Sequence, residues 1–320
     1  MSGCLWSRRK FLGMLGAAAG AAVAGVSGPG FGRFFRIVRE AGAAEGGTAV
    51  SVASGGSAAE NARKAVEALG GMRKFVSRGD VVVLKPNIGW DRTPEQAANT
   101  NPEVVVALGE MCLAAGAKEV RVFDRTCNEP RRSYVSSGIP EAIRRFAEEQ
   151  GVADVFRAYH VEQRKFRRTA IPGALVLREW DLYRDALEAD KVISVPVAKH
   201  HSLATVTLGL KNMMGVMGGN RGQIHFRLSE CLVDINRRIP TALTVVDANR
   251  ILLRNGPSGG NLADVASLGK VFASADIVAA DIVAAREAFG KSPAEVPHIR
   301  KAMESGLGVS SEDRIRLLSS

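Results

Sequence analysis

Short runs of Val, Ile and Leu that lack polar alternation set the fold class of this chain. Asp80-Val81-Val82-Val83-Leu84 is stopped by Lys85-Pro86, Lys191–Val195 by Pro196, and Thr241–Val246 by Asp247. A strand with one wet face alternates apolar and polar residues, so a run without alternation is covered on both faces. Ala49–Ser54 and Glu119–Phe123 are two further β-type runs, the second ending at Asp124. Helical patterns lie between them at Ser57–Leu69, Pro102–Ala115, Gly138–Gln150 and Asp276–Phe289. The first opens on Ser57 with Glu60 three residues on, the spacing of a capping box. Strands alternating with helices connect by right-handed crossovers, so the expectation is an α/β fold with a mostly parallel sheet and helices on both faces. The segment Phe156–Trp180 mixes β-type and basic residues and reads as an inserted hairpin or small subdomain.

The N-terminus reads as an address. Ser7-Arg8-Arg9-Lys10-Phe11-Leu12 precedes a mild apolar run, Gly13–Val26, made mostly of Ala and Gly. That run falls short of the roughly 20 apolar residues of a membrane helix. The order of features is that of a twin-arginine signal, with Ala41-Gly42-Ala43 as a cleavage site. The expectations are a signal and linker over 1–43, one α/β domain over 44–320, export by the Tat translocase, and a periplasmic or other extracytoplasmic location. The twin-arginine route moves folded proteins, often ones that take up a cofactor first.

Charge narrows the partners. The chain is +10, but residues 1–43 hold six Arg/Lys and one Glu, leaving 37 basic against 32 acidic residues. With only 18 aromatic residues and no dense basic stripe, nucleic-acid binding is not expected. Beyond the signal no apolar run is long enough for a transmembrane segment. Of four cysteines Cys4 falls in the expected signal; the remaining Cys112, Cys127 and Cys231 form no C-x-x-C pair, so no iron–sulfur motif is present, and their odd number rules out disulfides that use every one of them. Cys112 sits in an apolar helical pattern and is expected in the core.

In an open α/β sheet ligands bind beyond the carboxyl ends of the strands. The residues there are Lys85-Pro86-Asn87, Asp124-Arg125, Lys199-His200-His201 and Asp247-Ala248-Asn249. Lysines and histidines suit anion binding and proton transfer, which makes Lys85, His200, His201 and Lys211 the candidate catalytic residues. His200, His201, Asp124 and Asp247 are candidate ligands for a transition metal such as Ni, Fe or Zn, and His225 is a further imidazole. Leu208–Gly222 carries five glycines, three methionines, Lys211 and Arg221, and glycines let backbone N–H groups approach an anion. Asn87, Asn212, Gly215, Gly218, Gly219 and Gly259 of the second glycine loop are accordingly candidate cofactor-binding positions.

Several of these segments together resemble one family. Val82-Val83-Leu84-Lys85-Pro86-Asn87, Thr100-Asn101-Pro102-Glu103-Val104-Val105, Val195-Pro196 ahead of Lys199-His200-His201, Thr207–Gly215 with its Leu210-Lys211-Asn212-Met213-Met214-Gly215, Gly256–Gly260 and Asp276–Asp281 are similar to the family called domain of unknown function 362. The likeness spans about residues 48–290. The resemblance implies no agreed activity. Many members look like iron–sulfur proteins through an appended ferredoxin module, whose cysteine array this chain lacks. It also implies a distant fold likeness to nickel-pincer lactate racemases, in which a lysine and histidines hold a modified nicotinate; Lys85, Lys199 and His200 would then play such parts.

The expected function is an exported, metal- or cofactor-dependent enzyme acting on a small anionic or carbonyl substrate by redox chemistry or proton transfer. The alternative is a non-catalytic metal- or anion-binding protein, or one that assembles a redox complex with a partner protein.

Overall fold

In the computed structural model, residues 47–320 are described; the twin-arginine segment and its cleavage site lie outside them. The elements in chain order are β1 (Thr48–Ser54), α1 (Ala58–Ala68), β2 (Val81–Pro86), α2 (Pro102–Ala114), β3 (Glu119–Val122), α3 (Pro130–Ser137), α4 (Ile139–Glu149) and β4 (Phe156–Ala158). There follow β5 (Phe166–Ala170), β6 (Glu179–Tyr183), β7 (Lys191–Val195), β8 (Val197–His201), β9 (Thr205–Thr207), α5 (Leu228–Arg238) and β10 (Leu243–Leu252). The chain closes with β11 (Val265–Ser274), α6 (Ile277–Phe289), α7 (Pro297–Glu304) and β12 (Ile315–Ser319).

The main sheet runs β12-β1-β11-β10-β7-β2-β3-β4. Pairing is parallel from β10 through β7, β2 and β3 to β4, and between β1 and β12. Along this order β11 breaks the direction, pairing antiparallel with both β1 and β10. The period-2 pleat divides each apolar run between two cores. Val82 and Leu84 face the layer of α1, α2 and α4, with Leu108 and Ile143, while Val83 faces the layer of α5 and α6, with Leu232 and Ile282. Each fully buried side chain of this size contributes about 1.5–3 kcal/mol, so coverage of both faces is what selects continuous Val/Ile/Leu runs. The capping box forms: Ser57 Oγ accepts from Glu60 N and Glu60 Oε2 accepts from Ser57 N.

Two details differ from the sequence expectation. The run that Asp247 was to end continues to Leu252, which leaves Asp247 in mid-strand. Pro196 interrupts β7, but its carbonyl accepts from Asp247 N at 2.8 Å and β10 goes on to pair with β8. Lys199-His200-His201 is therefore not a loop after a strand. It is the end of β8, the resumed strand, which turns back through an antiparallel hairpin into β9. The mixed Phe156–Trp180 segment divides as well: β4 closes the edge of the main sheet and β5–β6 forms a separate two-stranded hairpin. At β4, Phe156 fills the space a Cβ on Gly109 of α2 would occupy, 2.1 Å from its ring tip. Among the described residues no helix is long and apolar enough to cross a membrane.

Candidate functional site

β2 delivers Lys85 to the carboxyl edge of the sheet with its side chain wholly buried. Its ammonium meets Asp124 Oδ1 at 2.7 Å, the Pro86 carbonyl at 2.7 Å and Asn212 Oδ1 at 2.8 Å. Burial pulls the Lys85 pKa down and the Asp124 carboxylate opposes it. Three acceptors for three N–H groups, one of them charged, define a fixed ammonium. Asp124 follows β3 and its Oδ2 accepts from Ile88 N at 2.7 Å, so both oxygens are held by the fold.

The amides of Asn212 and Asn87 link this pair to a second buried lysine. Asn212 Oδ1 also faces Asn87 Nδ2 at 3.4 Å, and Asn87 Oδ1 accepts from Lys199 Nζ at 3.0 Å. Lys199 Nζ donates in addition to the Ala98 carbonyl. Asn212 Nδ2 donates to the Lys85 carbonyl and to Ser194 Oγ, which saturates that amide. Burial, with Lys211 nearby, lowers the Lys199 pKa to about 7. Lys211, on the helical turn Gly209–Asn212, is lowered to about 8 by burial with Arg221 and Lys85 adding to it, and its Nζ meets only the Met214 sulfur, at 3.1 Å. That turn is anchored from α6, where Asp281 accepts from Gly209 N and Leu210 N.

The β8–β9 hairpin decides which histidine takes part. Side chains alternate across a strand, so Lys199 and His201 share one face and His200 takes the other. Lys199 and His201 line the cavity with Thr207, the cross-strand partner of Lys199. His200 turns to the Gly256-Pro257 loop, where its Nδ1 accepts from Gly256 N at 3.2 Å. His201 Nδ1 accepts from both Leu203 N and Ala204 N. The ring proton is thereby placed on Nε2, and burial among cations lowers the pKa to about 3. His201 is a neutral donor with a fixed tautomer. His225 stacks on it with centroids 6.3 Å apart, and its Nδ1 meets the Gly222 carbonyl at 2.9 Å, leaving Nε2 as an acceptor.

These groups surround a cavity of about 520 Å³. Arg125 and Arg221 form its outer wall: Arg125 is fixed by the Met217 and Gly219 carbonyls, Arg221 by those of Met214 and Thr126. Arg221 also lies 3.3 Å from Cys127 Sγ. Five Lys and Arg side chains line the cavity against one carboxylate, Asp124, and that carboxylate is committed to Lys85.

The structure brings Lys85, Asn87, Asp124, His201, Lys211, Asn212, Gly215 and Gly219 to this cavity and leaves His200, Asp247, Gly218 and Gly259 outside it. His200 is excluded by strand alternation. Asp247, fully buried in mid-strand, accepts from Asn101 N, Asn249 N and Asn249 Nδ2. The four proposed metal ligands are consequently dispersed, and among the described residues no three His, Cys, Asp or Glu side chains are placed to hold a metal ion. The donor set does not fit a transition metal held by these residues. Nor is the glycine segment a ring of free N–H groups. Gly218 N donates to the Asp181 carbonyl and Gly259 N to Asn255 O, both inside the fold. Gly218 is small because Phe166 of the β5–β6 hairpin covers it, 2.7 Å from where a Cβ would lie. Thr207 and Cys127 were not singled out as site residues in the sequence reading; an apolar-flanked Thr and a lone Cys carry no signal until a fold sets them beside lysines.

A family model described as domain of unknown function (DUF362) matches residues 82–286. The chain belongs to the DUF362 family. All the cavity residues named above fall inside the DUF362 match. The thylakoid-associated protein sll1697 of Synechocystis sp. is 29% identical over 272 residues, covering 81% of this chain and 78% of that one. Among solved structures, the lactate racemase apoprotein of Thermoanaerobacterium thermosaccharolyticum aligns with 73% of this DUF362 chain at a TM-score of 0.42 and 10% identity. A Thermotoga maritima protein aligns with 63% at a TM-score of 0.33 and 15% identity. The chain spans about half the length of each of these two proteins, 55% and 52%.

Proposed function

We propose that the cavity binds a small carboxylate- or phosphate-bearing molecule that also carries a carbonyl, and that the protein moves a proton at the carbon beside it. The observation that carries this reading is the charge imbalance: with Lys85 neutralised by Asp124, Arg125, Lys199, Lys211 and Arg221 face the cavity without a carboxylate among the described residues. Basic side chains with no carboxylate partner favour an anionic ligand, because bringing one in supplies the missing counter-charge. Lys211 and Arg221 hold the anion. His201 Nε2–H donates to the carbonyl oxygen, where charge develops as the neighbouring proton leaves. His225 Nε2 is placed as the base.

Thermal shift with phosphate, pyruvate and L-lactate against an uncharged ester tests the binding step. Exchange of the pyruvate methyl protons in deuterated water, followed by NMR, tests the chemistry. Stabilisation by the anions alone, with exchange reduced about a hundredfold in His225→Ala, supports the reading. Equal shifts with the ester and the anions would overturn it.

We further propose that the protein is exported by the Tat translocase and works outside the cytoplasm. The paired Arg8-Arg9 and the thylakoid association of the Synechocystis relative support this. Replacing both arginines by lysine should hold the chain in the cytoplasm on fractionation of its host. An alternative role, docking to a redox partner, draws on Phe226 and Leu203, which are 95% and 70% exposed beside the cavity residues His225 and Ser202. Changing both to serine would then abolish co-purification of a partner while leaving pyruvate binding intact.

A further inference from the structure

We propose that Lys199 is a carbonyl-capturing lysine whose amine, set opposite Thr207 in the β8–β9 hairpin, forms an imine with a 2-oxo acid in the cavity. This rests on the anion-binding reading above and specifies its substrate class.

Counting acceptors separates the three buried lysines. Lys85 has three acceptors including a carboxylate, which fits an ammonium with three N–H groups. Lys199, only 1% exposed, has two, Asn87 Oδ1 and the Ala98 carbonyl, both neutral, and no carboxylate within salt-bridge distance among the described residues. A neutral amine has two N–H groups and one lone pair. Two acceptors satisfy the N–H groups and leave the lone pair for the cavity that Lys199 lines. An ammonium here would be buried with no counter-charge, the arrangement that burial disfavours most. Lys211, with only a thioether for company, keeps its N–H groups for the ligand's carboxylate.

Thr207 is the independent second observation. Its side chain is 3% exposed, its Oγ1 has no hydrogen-bond partner among the described residues, and its Cα pairs directly with that of Lys199 across the hairpin. An unpartnered buried hydroxyl costs about 1–3 kcal/mol, and a ligand oxygen would satisfy it. Cross-strand neighbours stand about 5 Å apart at Cβ, and Lys199 and Thr207 line the same cavity.

The step balances without an oxidant or reductant. The Nζ lone pair attacks the carbonyl carbon; the C–N bond forms as the C=O π pair moves to oxygen. One amine proton passes to that oxygen, with the Thr207 hydroxyl accepting and donating in turn, to give a carbinolamine. The nitrogen then expels the oxygen as water with the second amine proton, leaving the imine. Amine plus carbonyl becomes imine plus water. Until that second proton leaves nitrogen the intermediate is a protonated imine, which draws electrons from the adjacent C–H bond, the bond the His225 base faces in the proposed chemistry.

Borohydride trapping on the full chain tests this. Protein is incubated with pyruvate and sodium borohydride, and intact mass and peptide mapping follow. The expected product is one adduct of pyruvate less one oxygen atom, on Lys199, absent with L-lactate and absent in Lys199→Met. In Thr207→Val trapping should slow about a hundredfold. Site mapping on the unaltered protein needs no variant, so misfolding of either substitution does not obscure the result. Pyruvate and lactate binding alike with no adduct on Lys199 overturns the imine and leaves anion binding standing. An adduct confined to Lys85, Lys211 or surface lysines also overturns it. Binding of neither acid, with no adduct, overturns both readings.

Discussion

Gly215 stands directly on Asp124: a Cβ at residue 215 would lie 1.7 Å from Asp124 Oδ1 and 2.4 Å from Lys85 Nζ. The glycine is there so that backbone can roof the buried ion pair and shut out water. Gly215→Ala must push the pair apart or lift the 213–217 segment. Breaking a buried pair costs about 3–5 kcal/mol, so the urea midpoint should fall by that loss divided by the m-value. An unchanged midpoint would show that the roof yields freely.

Lys85 and Asp124 are coupled and should answer to a double-mutant cycle. Lys85→Met alone strands a buried carboxylate, and Asp124→Asn alone strands a buried ammonium, each costing about 3 kcal/mol or more. The double variant should lose less than the sum, by at least about 1 kcal/mol. Additive losses in chemical denaturation would mean that the two charges do not depend on each other.

The adjacent histidines should behave oppositely. His201 presents Nε2–H to the cavity, and its removal should weaken pyruvate binding about tenfold, the equivalent of 1.4 kcal/mol. His200 lies on the other face of β8, so His200→Ala should leave the dissociation constant within about twofold, as checked by isothermal titration. Equal losses at both positions would contradict the strand register.

Stability should rise with pH above neutrality. Burial holds Lys199 at about 7 and Lys211 at about 8, against 10.5 for a free lysine. Between those values and 10.5 the unfolded chain binds more protons than the folded one, so unfolding free energy climbs with pH across that window. The cost of a buried ammonium is complete below pH 7 and is relieved progressively above it. Tm measured from pH 7 to 9.5 should therefore rise less steeply in Lys199→Met than in the parent. In acid the two buried imidazoles act with the same sign, since His201 and His298 are held near 3 by burial and lose stability as pH drops from 6.5 towards 3, while Asp281, raised to about 7 by burial, acts in the opposite direction.

Cys127 should report on occupancy. It is exposed at the cavity wall beside Arg221, while Cys112 and Cys231 are buried. Iodoacetamide should label Cys127 first, phosphate or pyruvate should slow that labelling, and the alkylated protein should lose ligand binding. Labelling indifferent to either anion would place the ligand elsewhere.

Most of the sheet was legible along the chain because burial on both faces is a local compositional demand. Val81–Leu84 and Val192-Ile193 have to be apolar at consecutive positions wherever the rest of the chain goes. The Ser57–Glu60 box was equally local, since its partners are three residues apart. Harder to read were β11 and β12, whose polar and exposed positions mark partly covered strands near the sheet edge. The lysines and Asp124 were visible as candidates because strand ends must be polar.

Where those side chains sit and what they meet is decided only by tertiary structure. The five-residue sequence Val197–His201 does not say whether His200 or His201 faces a ligand; pairing Lys199 with Thr207 does, because a one-residue shift in register exchanges the two faces. Asp247 and Asp124 look alike in sequence, each after an apolar run, but β10 continues past the first and β3 stops before the second. Three lysines of one chemical type become a bound ammonium, a candidate nucleophile and an anion clamp. The physical reason is that the charge of a buried amine depends on which acceptors long-range packing brings to it, and those acceptors lie as far as 127 residues away.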